Sequence, residues 1–167
     1  MNNNYLIRKV APGDEAVLAC IQTESWKAAF KDILTEEELV RCTDLERATR
    51  MYSGLLEANK GNGYLLEIDG KGHCIAWWDE TREADMEGFA ELICIHSLQN
   101  NWGKGYGSKV MDKVLGDIKE AGYTKVMLWV FEENKRARTF YEAKGFVKSE
   151  KAKTIKGITE VMYVREM

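Results

Sequence analysis

A glycine-rich segment between an apolar stretch and an amphipathic stretch is the clearest chemical signal in the sequence. It reads Trp102-Gly103-Lys104-Gly105-Tyr106-Gly107-Ser108 and follows the apolar stretch from Leu92 to Leu98. Glycine lets the backbone turn sharply and approach a ligand without interference from a Cβ atom. The first N–H groups of a helix have no partner inside the helix, and they lie at the positive end of its dipole. A strand, a tight loop and a helix start in this order predict a phosphate or pyrophosphate site.

The glycine spacing bears on which phosphorylated ligand is bound. A dinucleotide fingerprint is G-x-G-x-x-G, whereas this segment reads G-x-G-x-G, with Ser108 where the last glycine should stand. The P-loop pattern G-x-x-x-x-G-K-[ST] is not found in the sequence. Nucleotide folds usually begin with the glycine loop, and here about sixty residues follow it. A dinucleotide-dependent enzyme remains an alternative, supported by Glu132 and Glu133 at the end of the next strand.

A second segment downstream predicts a short helix with a defined end. It runs from Asn134 to Phe146, and the spacing of Ala137, Phe140 and Tyr141 marks one helical face. Gly145 is suited to a left-handed cap at the end of this helix. Asn134 is itself a suitable N-cap residue at its start.

Together, the two segments resemble the GNAT superfamily of acyl-CoA-dependent N-acetyltransferases. Members share [Q/R]-x-x-G-x-[G/A] after the fourth strand and N-x-x-A-x-x-F-Y-x-x-x-G-F after the fifth. The second pattern fits at every fixed position from Asn134 to Phe146. The first fits at Gly105 and Gly107 but departs at Trp102, where the family prefers Gln or Arg. The order of elements follows the family along nearly the whole chain, which implies a single GNAT-like domain over residues 1–167.

The resemblance implies acetyl-CoA as cosubstrate and assigns the residues that bind it. Backbone groups of Ile95 and Ser97 would pair with pantetheine like an added strand, and Asn134 would hydrogen-bond the same arm. The N–H groups from Gly103 to Ser108 would hold the pyrophosphate, and the backbone N–H of Trp102 would replace the missing side-chain contact. The cations expected to reach the nucleotide phosphates are Lys104 and either Lys135 or Arg136, although surface cations are usually only solvated.

Acyl transfer to an amine needs a proton acceptor for the amine and a proton donor for the thiolate. Glu91 is the candidate base, because it places a charge at the start of an otherwise apolar strand, where desolvation raises a carboxyl pKa. The alternative is a Glu at the strand end that faces solvent; Glu80, Glu87 and His96 are the other candidates for the base. The resemblance assigns Tyr141 as the proton donor, and the alternative is an aromatic ring packed beside Phe140.

The acceptor is expected to be a primary amine on a small molecule or a peptide, and the sequence does not identify it further. By resemblance, the segment from Glu24 to Phe30 and the pair Trp77-Trp78 border the acceptor cleft, although aromatic residues are equally suited to a core. The acidic run from Asp79 to Glu87 contains one cation, Arg82, and would either attract a cationic amine or form a solvated loop. A non-catalytic acyl-CoA-binding or sensing module on the same fold is the alternative function.

The remaining periodicity predicts the elements that position these residues. Strands are expected at Tyr5–Val10, Tyr64–Ile68, Cys74–Trp78, Ala90–Leu98, Lys125–Phe131, Phe146–Ser149 and Ile158–Arg165. Helices are expected to begin at Asp14, at the Thr35–Glu38 capping box and after the glycine loop, with the second running through Leu45. The fold class is α/β (mixed α+β). The resemblance implies a central mixed, mostly antiparallel sheet with helices on both faces.

Composition limits the remaining function classes. The chain has 167 residues, 45% of them apolar, and a net charge of −3, which suits one domain and gives no overall basic footprint for nucleic acid. The segment from Met1 to Tyr5 carries no signal pattern, and no apolar run reaches membrane-spanning length, so a cytoplasmic protein is expected. Nothing in the sequence decides whether an edge strand pairs two copies into a homodimer. No metal site is expected. The four cysteines are predicted to be buried free thiols: Cys20, Cys42, Cys74 and Cys94.

Overall fold

A computed structural model describes residues 4–167. Met1 to Asn3, part of the segment that carries no signal pattern, lie outside the described residues. In chain order the elements are β1 (Tyr5–Lys9), α1 (Glu15–Phe30), α2 (Glu36–Cys42), α3 (Leu45–Glu57), β2 (Asn62–Ile68), β3 (Lys71–Glu80), β4 (Ala90–Ser97), a 3-10 helix (Gln99–Asn101), α4 (Tyr106–Glu120), β5 (Lys125–Phe131), α5 (Lys135–Ala143), β6 (Val147–Ile155) and β7 (Ile158–Glu166).

The strands are hydrogen-bonded in the order β1-β2-β3-β4-β5-β7-β6. The pairs β1/β2, β5/β7 and β6/β7 are antiparallel, whereas β4 and β5 are parallel, with Glu91 opposite Met127. A parallel pair needs a crossover connection rather than a tight turn, and α4 lies within that connection. The predicted fold class, a mixed and mostly antiparallel sheet in an α/β chain, is confirmed.

The described residues form two compact units, of which the first comprises residues 4–77 together with Cys94–Met111. Helices α1 and α3 bring buried side chains onto β2 and β3, and Cys94 and Leu98 pack against the same cluster. Tyr52 and Trp77 meet there with their rings 5.8 Å apart. The fully or nearly buried members are Leu18, Ala19, Ile21, Ala48, Tyr52, Leu65, Ile75 and Trp77.

The second unit comprises Trp78–Ile93 and Asp112–Met167. Three buried methionines from the β3–β4 connection, β5 and β7 form a cluster, with Phe89, Trp129 and Val164 packed around it: Met86, Met127 and Met162. Trp78 packs edge-on against Tyr123 in the same unit. Both Trp77 and Trp78 are therefore core residues, at 4% and 5% exposure, which favours the packing interpretation over an acceptor wall.

The second predicted helix is two helices in the structure, because a second N-cap residue follows the capping box closely in the sequence. The Thr35–Glu38 capping box is present, but α2 ends at Cys42 and does not continue through Leu45. The Asp44 side chain accepts a hydrogen bond from the Arg47 N–H at 2.7 Å and caps a separate helix, α3. The strand expected at Phe146–Ser149 runs from Val147 to Ile155, because β6 pairs with β7 at Val147 and Lys148 and again from Ala152 to Ile155, on either side of an irregularity.

The four cysteines are free thiols, as predicted, but the prediction that all are buried is wrong. Cys74 is fully buried on β3, whereas Cys20 is exposed on α1. Cys20 lies outside the apolar stripe that α1 turns toward the core. Among the described residues, no helix combines the length and the apolar character that crossing a bilayer requires.

Candidate functional site

The glycine loop leads directly into helix α4. Gly103 and Gly105 have φ of +76° and +83°, the left-handed region that glycine adopts without steric cost. The Lys109 N–H donates to the Gly105 carbonyl at 3.1 Å, so the helix is established from its first turn. Gly107 and Ser108 lie within that turn, where backbone N–H groups point out of the helix end. The expected strand, glycine loop and helix start are present, and α4 begins three residues before Lys109.

The residues just before the loop form a short turn that fixes Trp102. The Trp102 backbone N–H donates to the Gln99 carbonyl at 3.1 Å, and the indole N–H donates to the Ser97 carbonyl at 2.8 Å. The backbone N–H expected to replace a Gln or Arg contact is therefore already used within the turn. Any further donor to the Ser97 carbonyl shares that oxygen with the indole.

The other loop residues have contacts within the first unit. Lys104 Nζ donates to Asn101 Oδ1 at 3.2 Å. Tyr106 is 8% exposed and meets Tyr5 edge-on, with ring centroids 6.2 Å apart, and the Lys109 ammonium lies over the Tyr5 ring. Tyr106 thus anchors the start of α4. Ile95 and Ser97 are half-buried on β4, just before the turn.

His96 lies on β4 between these two residues and contacts the end of α1. Its Nε2 accepts a hydrogen bond from the Trp26 indole N–H at 3.2 Å, so the proton of the neutral ring is on Nδ1. Burial lowers the pKa of His96 to about 4. The ring is neutral but weakly basic at neutral pH, which disfavours His96 as the general base. Trp26 also packs edge-on against Phe30, so aromatic residues cluster at this end of α1.

Glu91 occupies the start of β4 and is 1% exposed, so the alternative of a solvent-facing Glu is wrong. Its Oε1 accepts a hydrogen bond from Arg82 Nη2 at 2.6 Å. Its Oε2 accepts from Arg82 Nε at 3.1 Å and from the Arg82 backbone N–H at 3.0 Å. Burial acts to raise the pKa of Glu91, but the hydrogen bonds and the charge of Arg82 outweigh it and hold the pKa below its ordinary value. The expectation of a raised pKa is wrong for this reason.

Arg82 is the functional candidate that sequence reasoning missed, because it lies in a loop whose acidic residues outnumber it. Two acidic residues of this loop, Glu83 and Asp85, also have partners on the sheet. The Trp129 indole N–H donates to Glu83 Oε1 at 2.9 Å, and Lys151 forms an ion pair with Asp85. The run from Asp79 to Glu87 is therefore bound to the β5–β7–β6 part of the sheet rather than freely solvated.

Helix α5 carries the second motif in the second unit. The Asn134 side chain accepts from the Ala137 N–H at 3.2 Å and caps the helix, as predicted. Tyr141 is 8% exposed, with its ring between the edges of Phe140 and Phe146. Gly145 ends the segment at φ +85°. Arg136 is exposed on the same helix, so Asn134, Arg136 and Tyr141 all lie on α5 or at its cap.

Comparison with known proteins agrees with this geometry. The Acetyltransferase (GNAT) family profile matches residues 23–146, whereas no curated protein sequence matches the chain. Similar solved structures include the PaiA N-acetyltransferase from Thermoplasma acidophilum in complex with coenzyme A (TM-score 0.84, 17% identity, 98% of this chain and 99% of that one). Another is ribosomal-protein-alanine N-acetyltransferase from Brucella melitensis (TM-score 0.73, 15% identity, 97% of this chain and 99% of that one). A third is an acetyltransferase from Thermus thermophilus (TM-score 0.71, 19% identity, 98% of this chain and 97% of that one). The chain belongs to the GNAT family of acetyltransferases.

Proposed function

We propose that this protein transfers the acetyl group of acetyl-CoA to a primary amine, which attacks the thioester directly. Acetyl-CoA is the acyl donor of the GNAT family, to which the chain belongs. The observation that carries the proposal is the glycine loop, where the left-handed Gly103 and Gly105 lead into the first turn of α4. Such a turn presents several N–H groups to an anion, which suits the pyrophosphate of the cofactor.

The cofactor-binding residues follow from the loop and the two motifs. N–H groups from Gly103 to Ser108 would bind the pyrophosphate, and Lys104 would add a positive charge beside them. Backbone groups of Ile95 and Ser97 would pair with pantetheine, and Asn134 would bind the same arm while it caps α5. Arg136 would reach the nucleotide phosphates. The motif pattern, in which Asn134 is a fixed position, supports the assignment of Asn134, whereas Arg136 stands at a variable position and is proposed for its charge.

The proposed reaction needs one proton to leave the amine and one to reach the sulfur. The amine nitrogen bonds to the carbonyl carbon, and the carbon–sulfur bond breaks. Tyr141 is the proposed donor to the departing thiolate, since a phenol with an ordinary pKa of about 10 lies close to a thiol in acidity. The flanking rings of Phe140 and Phe146 restrict the orientation of Tyr141, which favours a fixed hydroxyl position.

Glu91 is the proposed acceptor of the amine proton, provided that Arg82 first leaves the carboxylate. The carboxylate is buried and already bound to a cation, whereas the side chain of Arg82 is 67% exposed. We infer that a cationic acceptor amine displaces the guanidinium. Once the hydrogen bonds from Arg82 are lost, burial acts to raise the pKa of Glu91 and makes it a stronger base than it is in the ion pair. The amine is then held by the group that removes its proton. An unchanged pH–rate profile in Glu91→Gln would remove Glu91 from the mechanism.

A panel of amines incubated with acetyl-CoA, monitored by release of the CoA thiol, tests the function. The panel should include polyamines, amino acids, aminoglycosides and peptides with a free N-terminus. One peptide should begin with alanine, the residue named for the Brucella melitensis enzyme. We expect thiol release and an acetylated product of matching mass with at least one primary amine. Thiol release without an acetylated amine would contradict the proposal.

A non-catalytic acyl-CoA-binding module is a second candidate, favoured by one observation. Trp102 stands where the family prefers Gln or Arg, and its indole hydrogen-bonds the Ser97 carbonyl assigned to pantetheine. This contact competes with the expected pairing of the cofactor arm. Binding of acetyl-CoA without turnover across the panel would support this candidate over the enzyme.

A further inference from the structure

The turn before the glycine loop contacts a histidine that the proposed reaction does not use. His73 lies on β3, and its carbonyl accepts a hydrogen bond from the Leu98 N–H at 3.0 Å. Its ring Nδ1 contacts Asn101 Nδ2 at the end of the 3-10 helix. Asn101 Oδ1 in turn accepts from Lys104 Nζ at 3.2 Å. A chain of polar contacts therefore connects β3 to the lysine of the loop.

Two neighbours determine which way the Asn101 amide points. A lysine ammonium carries only donors, so the amide atom facing Lys104 must be the oxygen. Independently, Asn101 Nδ2 lies 3.4 Å from Asn100 Oδ1, an acceptor that requires a donor opposite it. The amide N–H group therefore also faces His73. The ring nitrogen that it meets, Nδ1, must then be the unprotonated one.

Protonation of His73 conflicts with this arrangement. Among the described residues, the charged groups that face His73 are two cations, Lys71 on β3 and Lys104 on the loop. Burial is the largest cause that lowers the pKa of His73, and the charges of these lysines lower it further. A proton on Nδ1 would set one N–H donor against another and add a positive charge beside Lys104. Asn101 is 8% exposed, so its side chain cannot turn toward solvent without disturbing the turn.

We propose that His73 is a positioning residue for the phosphate-binding loop. Neutral His73 accepts the hydrogen bond from the Asn101 amide, and Asn101 in turn fixes the Lys104 side chain beside the glycine loop. When His73 gains a proton, these contacts are lost and CoA binds more weakly. The Asn101 N–H donates to the Leu98 carbonyl and the Trp102 N–H to the Gln99 carbonyl, so rotation of Asn101 is transmitted to Gly103. The inference concerns the cofactor alone and does not depend on the acceptor amine.

The dissociation constant of CoA, measured by calorimetry between pH 7.5 and pH 4.5, tests the proposal in the wild type and in His73→Asn. Asparagine places an oxygen near the position of Nδ1 and cannot be protonated there, so its pH dependence reports the titration of the CoA phosphates. We expect the wild type to lose about fivefold more affinity than His73→Asn over this range. Equal pH dependence in the two proteins would overturn the proposal.

A second variant replaces the hydrogen-bond donor that faces His73 by an acceptor. In Asn101→Asp the carboxylate accepts from both Lys104 and His73, so protonated His73 fits the turn and the extra loss of affinity should disappear. The same loss as in the wild type would contradict the proposed role of Asn101. Should the wild type fail to bind CoA at pH 7.5, this inference fails together with the cofactor assignment. CoA binding without amine acetylation leaves it intact.

The tautomer of His73 in the wild-type protein is a direct test, for which a variant is needed only to assign the signals. The chain has two histidines, and their hydrogen-bond partners imply opposite tautomers, His73 with its proton on Nε2 and His96 with its proton on Nδ1. Nitrogen-15 NMR of the imidazole rings distinguishes these forms, and the His73→Asn spectrum assigns the remaining signals to His96. A proton on Nδ1 of His73 at pH 7.5 would overturn the proposal.

Discussion

The guanidinium of Arg82 donates to both carboxylate oxygens of Glu91, at 2.6 Å and 3.1 Å, and the Arg82 backbone N–H adds a third hydrogen bond at 3.0 Å. The two side chains differ in exposure, at 67% for Arg82 and 2% for Glu91. The cation can therefore move into solvent, whereas the carboxylate cannot. This asymmetry makes the site suited to exchanging one cation for another.

Removal of the guanidinium should destabilise the protein in a pH-dependent manner. The folded-state pKa of Glu91 lies below its ordinary value of 4.5, so the ion pair stabilises the fold above that pH and loses its effect as the pH falls through the folded-state pKa. Arg82→Met should lower the free energy of unfolding at pH 7 by about 1–3 kcal/mol, because a buried carboxylate is left without its charged partner. Urea denaturation from pH 7 to pH 3 measures the difference.

Lys151→Met provides the control for this prediction. It removes the Lys151–Asp85 ion pair, whose two side chains are both exposed, and should change stability much less. A deficit in Arg82→Met that is equally large at pH 7 and pH 3 would show that packing, rather than the charge of Glu91, accounts for it.

Tyr141→Phe should slow turnover without weakening cofactor binding. The substitution keeps the ring between Phe140 and Phe146 and removes only the hydroxyl proposed to protonate the thiolate. We expect kcat to fall about 100-fold, within the range of general acid catalysis, while the Kd for CoA stays within about twofold of the wild type. Steady-state kinetics and calorimetry provide the two readouts. An unchanged kcat would exclude Tyr141 as the acid.

Two glycines of the α4 region should respond oppositely to alanine. An added Cβ would meet no atom within 4 Å at either Gly105 or Gly116, so steric contact does not distinguish them. Gly105 has φ +83°, which costs alanine about 1 kcal/mol or more, whereas Gly116 lies inside α4, where alanine is favoured by about 0.5–1 kcal/mol. Gly105→Ala should lower the melting temperature and weaken CoA binding, and Gly116→Ala should raise the melting temperature. A shift in the same direction for both would contradict this account.

The sequence predicts those features that depend on local backbone chemistry. The glycine loop, the Thr35–Glu38 capping box and the Asn134 cap all involve residues within a few positions of one another, and the structure contains each of them. The helix predicted through Leu45 is wrong because Asp44 is also a strong cap, and periodicity alone cannot choose between one long helix and two short ones. Family resemblance supplied the mixed, mostly antiparallel character of the sheet, which no local pattern determines.

Contacts between distant residues explain what the sequence could not predict. Glu91 and Arg82 lie nine positions apart on either side of a chain reversal, and His73 and Asn101 lie 28 positions apart. The pKa of Glu91 depends on the balance between burial and that one guanidinium, so its direction could not be read from an apolar neighbourhood. Likewise, the polar neighbours of Trp102 follow from the turn that precedes it rather than from its residue type.

Replacement of Trp102 tests whether its hydrogen bond to Ser97 restricts cofactor binding. Trp102→Phe keeps an aromatic ring but removes the indole N–H, which would release the Ser97 carbonyl for the pairing with pantetheine proposed above. Trp102→Arg removes the same contact and adds the guanidinium that the family prefers, with donors suited to phosphate oxygens. We expect CoA to bind about threefold tighter to Trp102→Phe and about tenfold tighter to Trp102→Arg, measured by calorimetry. Weaker binding by both variants would show instead that the indole contact holds the turn in its binding conformation, and Trp102 would then be part of the cofactor site.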